Sequence, residues 1–242
     1  MLERPFVQLD DIARECFKHT VSLFWGEPDG TSKLRSGTGF LVELNRPFLC
    51  TARHVIQTFL EAQREDKSLE LKVGKGSIDQ VNNRMMEGND AHDLIGIDLS
   101  GIEINSFQLN HIQFFKPTRW PPKCISHGAQ VFFIGFVVNG YREILHKQRA
   151  ILFNSFTVGT QVDSISNTDF SCVINMENVN RNATPSDRWP IDYGGLSGSP
   201  VFVIWEDIGV ELTGIIYEAS NAFNIIRAHH AHLFNAGGGL GL

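Results

Sequence analysis

The feature that most constrains this chain is its texture. Short apolar runs follow one another, each closed by glycine, asparagine, aspartate or proline. "VSLFWG" (21–26), "GTGFLVEL" (37–44), "FLCTA" (48–52), "LELKVG" (69–74) and "DLIGIDL" (93–99) form a first group. "QVFFIGFVV" (130–138), "AILFNSFTVG" (150–159), "DFSCVINM" (169–176), "SPVFVIW" (199–205) and "VELTGIIY" (210–217) form a second. Many short strands with turn residues between them predict an all-β barrel or sandwich, not alternating β and α units.

Helical periodicity is read at both ends. Leu9, Ile12, Ala13, Cys16 and Phe17 share one helix face, which predicts an N-terminal helix over residues 1–20. Ala222, Phe223, Ile226 and Leu233 also fit one face, so a C-terminal helix and tail are expected over 222–242. The closing "NAGGGLGL" reads as disordered. Between the two strand groups, Pro117, Pro121 and Pro122 cannot donate to a sheet ladder. The expected organisation is therefore a first β domain at 21–115, a linker at 116–124 and a second β domain at 125–221. The polar, aperiodic stretch 177–192 reads as a functional loop.

Composition narrows the function. At 242 residues and 42% hydrophobic, the chain can bury one large core or two smaller ones. The formal charge of −6 and the lack of a basic run argue against nucleic acid as a partner. No apolar run approaches the roughly 20 residues of a membrane span, and the first residues do not read as a signal peptide. A cytoplasmic protein is expected. Cys16, Cys50, Cys124 and Cys172 form no CxxC pair and read as reduced, mostly buried thiols. His229, His230 and His232 raise a metal alternative, but adjacent side chains on a helix diverge by about 100°, so no metal site and no cofactor are expected.

"YGGLSGSPVF" (193–202) places Ser197 between Gly195 and Gly198. A serine hydroxyl attacks only when a base takes its proton, and the base needs a carboxylate to fix its tautomer. His54, in "FLCTARHVI", stands where an apolar strand meets a helical pattern. Asp93 directly precedes an alternating strand and is the best carboxylate, with Asp90 and Asp98 as rivals. Gly194 and Gly195 permit backbone conformations that turn the N–H groups of Gly195 and Ser197 toward one point, where an oxyanion can sit. Each residue alone has an ordinary structural role open to it.

Together, "GTGFLV", "FLCTARHVI", "HDLIGIDL" and "YGGLSGSPVF" resemble the chymotrypsin-fold, or trypsin-like, serine peptidases. The "GLSGSP" ending is most similar to the compact bacterial trypsin-like and glutamyl-endopeptidase branch. The resemblance implies two six-stranded antiparallel β-barrels, with N- and C-terminal helices here, and a cleft between the barrels. It implies His54 as general base, Asp93 as its orienting carboxylate, and Ser197 as nucleophile, with Gly195 and Ser197 as oxyanion donors. It also implies that a protein or peptide substrate pairs with Tyr217, Glu218 and Ala219, and that the specificity pocket draws on Ile191, Asp192 and 217–224. The aspartate that commonly precedes the serine in the digestive branch is replaced by Leu196, so no ion pair from a newly cut amino terminus is expected to set the loop. The α/β-hydrolase pattern does not fit, because Ser199 stands where it needs glycine and the partners precede the serine. A catalytically silent peptide-binding module and an esterase with the same site remain open. The stretch 177–192 is where a regulatory protein partner is expected.

Overall fold

The computed structural model describes residues 7–26, 34–86, 91–107, 111–138, 142–145, 150–174 and 193–241. Helix α1 (Val7–Phe17) leads into strands β1 (Thr20–Trp25), β2 (Arg35–Glu43) and β3 (Pro47–Thr51). Helix α2 (Arg53–Glu65), β4 (Leu71–Val73), β5 (Gly76–Ile78), the short α3 (Val81–Arg84) and β6 (Ile95–Asp98) complete the first unit. The second unit holds β7 (Gln130–Phe136), β8 (Arg142–Leu145), β9 (Ala150–Phe153), β10 (Ser155–Ile165), β11 (Asp169–Val173), β12 (Pro200–Trp205), β13 (Gly209–Ser220) and β14 (Ile225–His230).

Both units are antiparallel. The first is a six-stranded sheet in the order β5-β4-β1-β2-β3-β6, and the second is a closed barrel in the order β10-β11-β14-β13-β12-β7. Strands β8 and β9 pair only with each other among the described residues. The double β-barrel expected from the sequence is thus present, although the end strands β5 and β6 of the first sheet do not pair to close it.

Alternation explains the cores. In the first unit Val21, Leu23, Leu41, Leu49, Ile95 and Ile97 point to one interior with Val55, Ile56 and Phe59 of α2. In the second, Val131, Phe133, Phe156, Val158, Val201 and Ile226 fill the barrel. A third cluster lies between the units, where Phe40 and Phe115 meet Phe132 and Phe202. The ring of Phe202 lies 5.6 Å from Phe40, 5.9 Å from Phe115 and 5.3 Å from Phe132, within the range of favourable aromatic pairs. This apolar layer fixes the two units against each other.

The segment between the units is held by charge. Glu211 of β13 is buried, and its carboxylate accepts from Arg119 Nε at 2.8 Å and from Trp205 Nε1 at 2.6 Å. A buried carboxylate is tolerable only with such partners.

Two expectations at the C-terminus are corrected. Residues 225–230 form β14, not a helix, and only the single 3₁₀ turn Ala231–Leu233 follows. Asn224 turns the chain at a φ of 51°, and Ile226, Ala228 and His230 then alternate inward. The barrel needs this strand between β11 and β13. The second barrel therefore runs on through residue 230. The glycine-rich tail is also ordered. Phe234 bridges to Leu240, Asn45 donates to Ala236 O at 3.1 Å, and Trp120 Nε1 donates to Phe234 O at 2.9 Å. Gly238 lies so close to Phe48 and Met86 that a Cβ there would crowd both.

All four cysteines are free. Cys16, Cys50 and Cys172 are buried and Cys124 is exposed. Burial pushes the thiols of Cys16 and Cys172 up to about 12 and that of Cys50 well above its ordinary value, so these three are inert as nucleophiles.

Candidate active site

The first four N–H groups of a helix lack intrahelical acceptors. The cap residue of α2 is Ala52, whose side chain cannot supply one. Asp93 takes that part. Its Oδ1 accepts from the backbone N–H of His54 at 2.8 Å, and its own carbonyl accepts from Arg53 N at 3.2 Å. The positive end of the helix favours a carboxylate there.

Asp93 Oδ2 lies 2.5 Å from His54 Nδ1. Nδ1 must donate in that bond, which leaves Nε2 as the acceptor of the neutral ring. His54 and Asp93 are 47% and 31% exposed, so the pair is open to solvent and not buried in the core. Of the two rivals, Asp98 is bound to Arg46 at 3.0 Å and to Ser100 N at 2.7 Å, and Asp90 lies outside the described residues.

Ser197 sits on the turn before β12, against the same corner of the first sheet. Thr38 N donates to Ser197 O at 2.9 Å. A Cβ on Gly37 would lie 2.7 Å from Val55, the neighbour of His54, and 3.5 Å from Ser197 O. Gly198 has a φ of 91°, and a Cβ there would overlap Thr38 O and Thr51 Oγ1. Only glycine permits this approach. The Ser197 hydroxyl makes no hydrogen bond among the described residues, to His54 or to any other group.

The loop before Ser197 is set by its carbonyls. Gly194 O accepts from Val138 N at 2.8 Å, and Leu196 O accepts from Ser199 N at 2.9 Å. A trans peptide points its N–H opposite to its C=O. Pinning those two carbonyls therefore turns the N–H groups of Gly195 and Ser197 the other way, and neither meets an acceptor among the described residues. Gly195 adopts a φ of 99°, and a Cβ there would overlap Phe136 O. Leu196 is fully buried in the second barrel's core.

Thr38 was not anticipated by the sequence reading. Its buried hydroxyl donates to Gly195 O at 2.7 Å and accepts from Phe136 N at 3.0 Å, joining β2, the serine loop and β7. A lone threonine in "GTGF" carries no mark of this, because both partners are remote in sequence.

The predicted substrate edge is Tyr217–Ala219 of β13. Strand β13 pairs with β12 only as far as Ile215, and Ile216 N then donates to Ser199 O at 2.9 Å. Past Ile216 it keeps β14 on one side and has no strand on the other among the described residues. Glu218 points to the surface and pairs with Arg227 at 3.3 Å, while Ala219 packs on the barrel core. Ile191 and Asp192 lie outside the described residues.

Three rings adjoin this edge. Tyr217 stacks on His229, centroids 4.1 Å apart, and His229 meets His92 edge-on at 5.3 Å. His229 Nδ1 bonds Thr168 O at 3.2 Å and His230 Nε2 bonds Ser166 O at 3.0 Å. Burial holds both rings below the usual histidine range.

No family model and no curated protein matches the chain. Among solved structures it is similar to the Rv3671c protease from M. tuberculosis in its active form. The likeness has a TM-score of 0.52 at 11% identity, and covers 94% of this chain and 82% of that one. At such identity it shows the fold, a double β-barrel of the trypsin-like kind. Among the described residues, no helix is long and apolar enough to cross a membrane.

Proposed function

We propose that this chain is a trypsin-like serine endopeptidase. The observation that carries the reading is the Asp93 carboxylate, which holds both the backbone and the ring of His54 at the start of α2. That leaves Nε2 as a base in the cleft that the Ser197 turn adjoins. Ser197 Oγ attacks the scissile carbonyl carbon as its proton passes to His54 Nε2. The oxyanion is held by Gly195 and Ser197 N–H, turned outward by the carbonyl bonds described above. The tetrahedral species collapses as His54 protonates the leaving amine. Water, deprotonated by the same ring, then hydrolyses the acyl ester. Asp93 fixes the tautomer and stabilises the imidazolium throughout.

The unpaired edge at Tyr217–Ala219 suits an extended peptide added as a strand. Glu218 is engaged with Arg227 at the surface, which favours an apolar or uncharged residue before the cut. The wider reading is a cytoplasmic enzyme of the compact bacterial trypsin-like and glutamyl-endopeptidase kind, acting on protein or peptide substrates without a cofactor. A regulatory protein partner would act through 177–192.

A second reading has one observation in its favour, the absence of a hydrogen bond from Ser197 to His54. It is a silent peptide-binding module. The site would also serve an esterase. A fluorophosphonate probe separates these. Labelling of the parent chain but not of Ser197→Ala supports an activated nucleophile, and no labelling of either sinks the enzyme reading. Protein substrates tested beside small esters distinguish peptidase from esterase. His54→Ala and Asp93→Asn are each expected to cost roughly 10⁴-fold in kcat.

A further inference from the structure

Asp93 belongs to the loop before β6, in the first sheet, whereas Ser197 and the substrate edge belong to the second barrel. A carboxylate that must orient a base needs its own backbone held across that boundary. The bond from Arg53 N and the cap on α2 hold it to the first sheet only. The residue beside it, His92, crosses the gap. Its ring meets His229 of β14 edge-on at 5.3 Å, and His229 lies flat on Tyr217 of β13 at 4.1 Å and 20°.

His229 is 6% exposed, so its ring is held by the packing around it, and its Nδ1 also bonds Thr168 O. It is therefore a rigid plate and not a surface side chain that happens to touch two rings. The loop holding Asp93 and the unpaired edge of β13 both rest against it. We propose that His229 is a positioning residue, which registers the His54–Asp93 pair against the substrate edge through its contacts with His92 and Tyr217. Its catalytic consequence rests on the peptidase reading, but the registration itself does not.

The stack predicts a division of labour. Flatness and volume at position 229 should matter more than basicity, because both ring contacts are packing contacts of a kind that any flat aromatic ring makes. His229→Phe keeps the plate and loses only the bond to Thr168 O. His229→Ala removes the plate and releases His92. His92→Ala removes the same link from the loop side, at a half-exposed position where folding is not at risk.

The test reads the His54–Asp93 bond directly. Proton NMR of the full chain should show a far-downfield resonance for the His54 Nδ1 proton, one that Asp93→Asn abolishes. In His229→Ala and His92→Ala the resonance is expected to broaden or vanish while the rest of the spectrum stays folded, and His229→Phe should retain it. Turnover on a peptide should fall about tenfold or more in kcat for the two alanine variants, with KM changed less than twofold. A folded His92→Ala or His229→Ala with an unaltered resonance overturns the proposal. So does a His229→Phe that behaves like His229→Ala. If the resonance responds as expected while the parent chain resists fluorophosphonate, the peptidase reading fails and the positioning role stands.

Discussion

Replacing Thr38 with valine keeps the side chain's shape and removes one oxygen. That oxygen is fully buried and serves two partners, Gly195 O at 2.7 Å and Phe136 N at 3.0 Å. Neither partner gains a substitute when the hydroxyl goes. A buried polar group left without its partner costs about 1–3 kcal/mol. Gly195 O lies in a partly exposed loop, so its share falls at the low end, and the sum is about 2–4 kcal/mol. For a chain of this size that corresponds to a drop of roughly 5–15 °C in Tm. Thr38→Ser keeps both bonds and loses one methyl, worth about 1 kcal/mol. Urea unfolding of the three proteins measures the difference. The same oxygen tethers the serine loop, so the fluorophosphonate labelling rate should fall roughly tenfold or more in Thr38→Val and little in Thr38→Ser, a smaller loss than removing an oxyanion donor outright. A Thr38→Val protein within about 0.5 kcal/mol of the parent would refute the reasoning, since it would mean that both groups find other partners.

Three further outcomes are expected. Gly198→Ala forces a positive φ on alanine and drives its Cβ into Thr38 O, so it should cost more than about 2 kcal/mol in urea unfolding; a neutral effect would mean that the turn relaxes away from β2. Burial depresses the folded-state pKa of His19, His229 and His230, so the unfolded chain binds protons more readily than the fold; stability should be full above about pH 6.5 and decline as the pH drops below it, and a urea midpoint unchanged between pH 7.5 and pH 5 would contradict this. A peptide library should show cleavage after apolar or uncharged residues, and strict cleavage after lysine or arginine would refute that preference.

The strands were legible in the sequence as short apolar runs closed by turn residues. The runs around Val21, Phe40, Phe48, Val131, Val201 and Leu212 all became strands, and they read as continuous apolar runs because both faces of each are buried. Of the three candidate residues, the structure joins His54 and Asp93 directly and sets Ser197 against the same corner. Residues 222–234 misled because Ile226 and Leu233 satisfy a helical face while Ile226, Ala228 and His230 satisfy a strand. The choice was made by barrel closure, a contact with β11 and β13 that no local pattern encodes. The tail misled for a related reason. Glycine is the mark of a flexible end, yet Gly238 is there because Phe48 and Met86 leave room for nothing larger. The ring stack on His229 and the hydroxyl of Thr38 were illegible because each joins residues that only the assembled fold brings together.

The ordered tail has a mechanical meaning. The chain leaves the second barrel after β14 and lays residues 234–241 over the first sheet, against Phe48, Asn45 and Gly96. At the other end, α1 leads into β1 of the first sheet and sets Phe17 on Phe136 of the second barrel, centroids 6.0 Å apart. Each half thus carries a strap belonging to the other, as in a handshake. A hinge between the two units would have to peel both straps together with the phenylalanine layer between the units. The two units are therefore clasped at a set spacing.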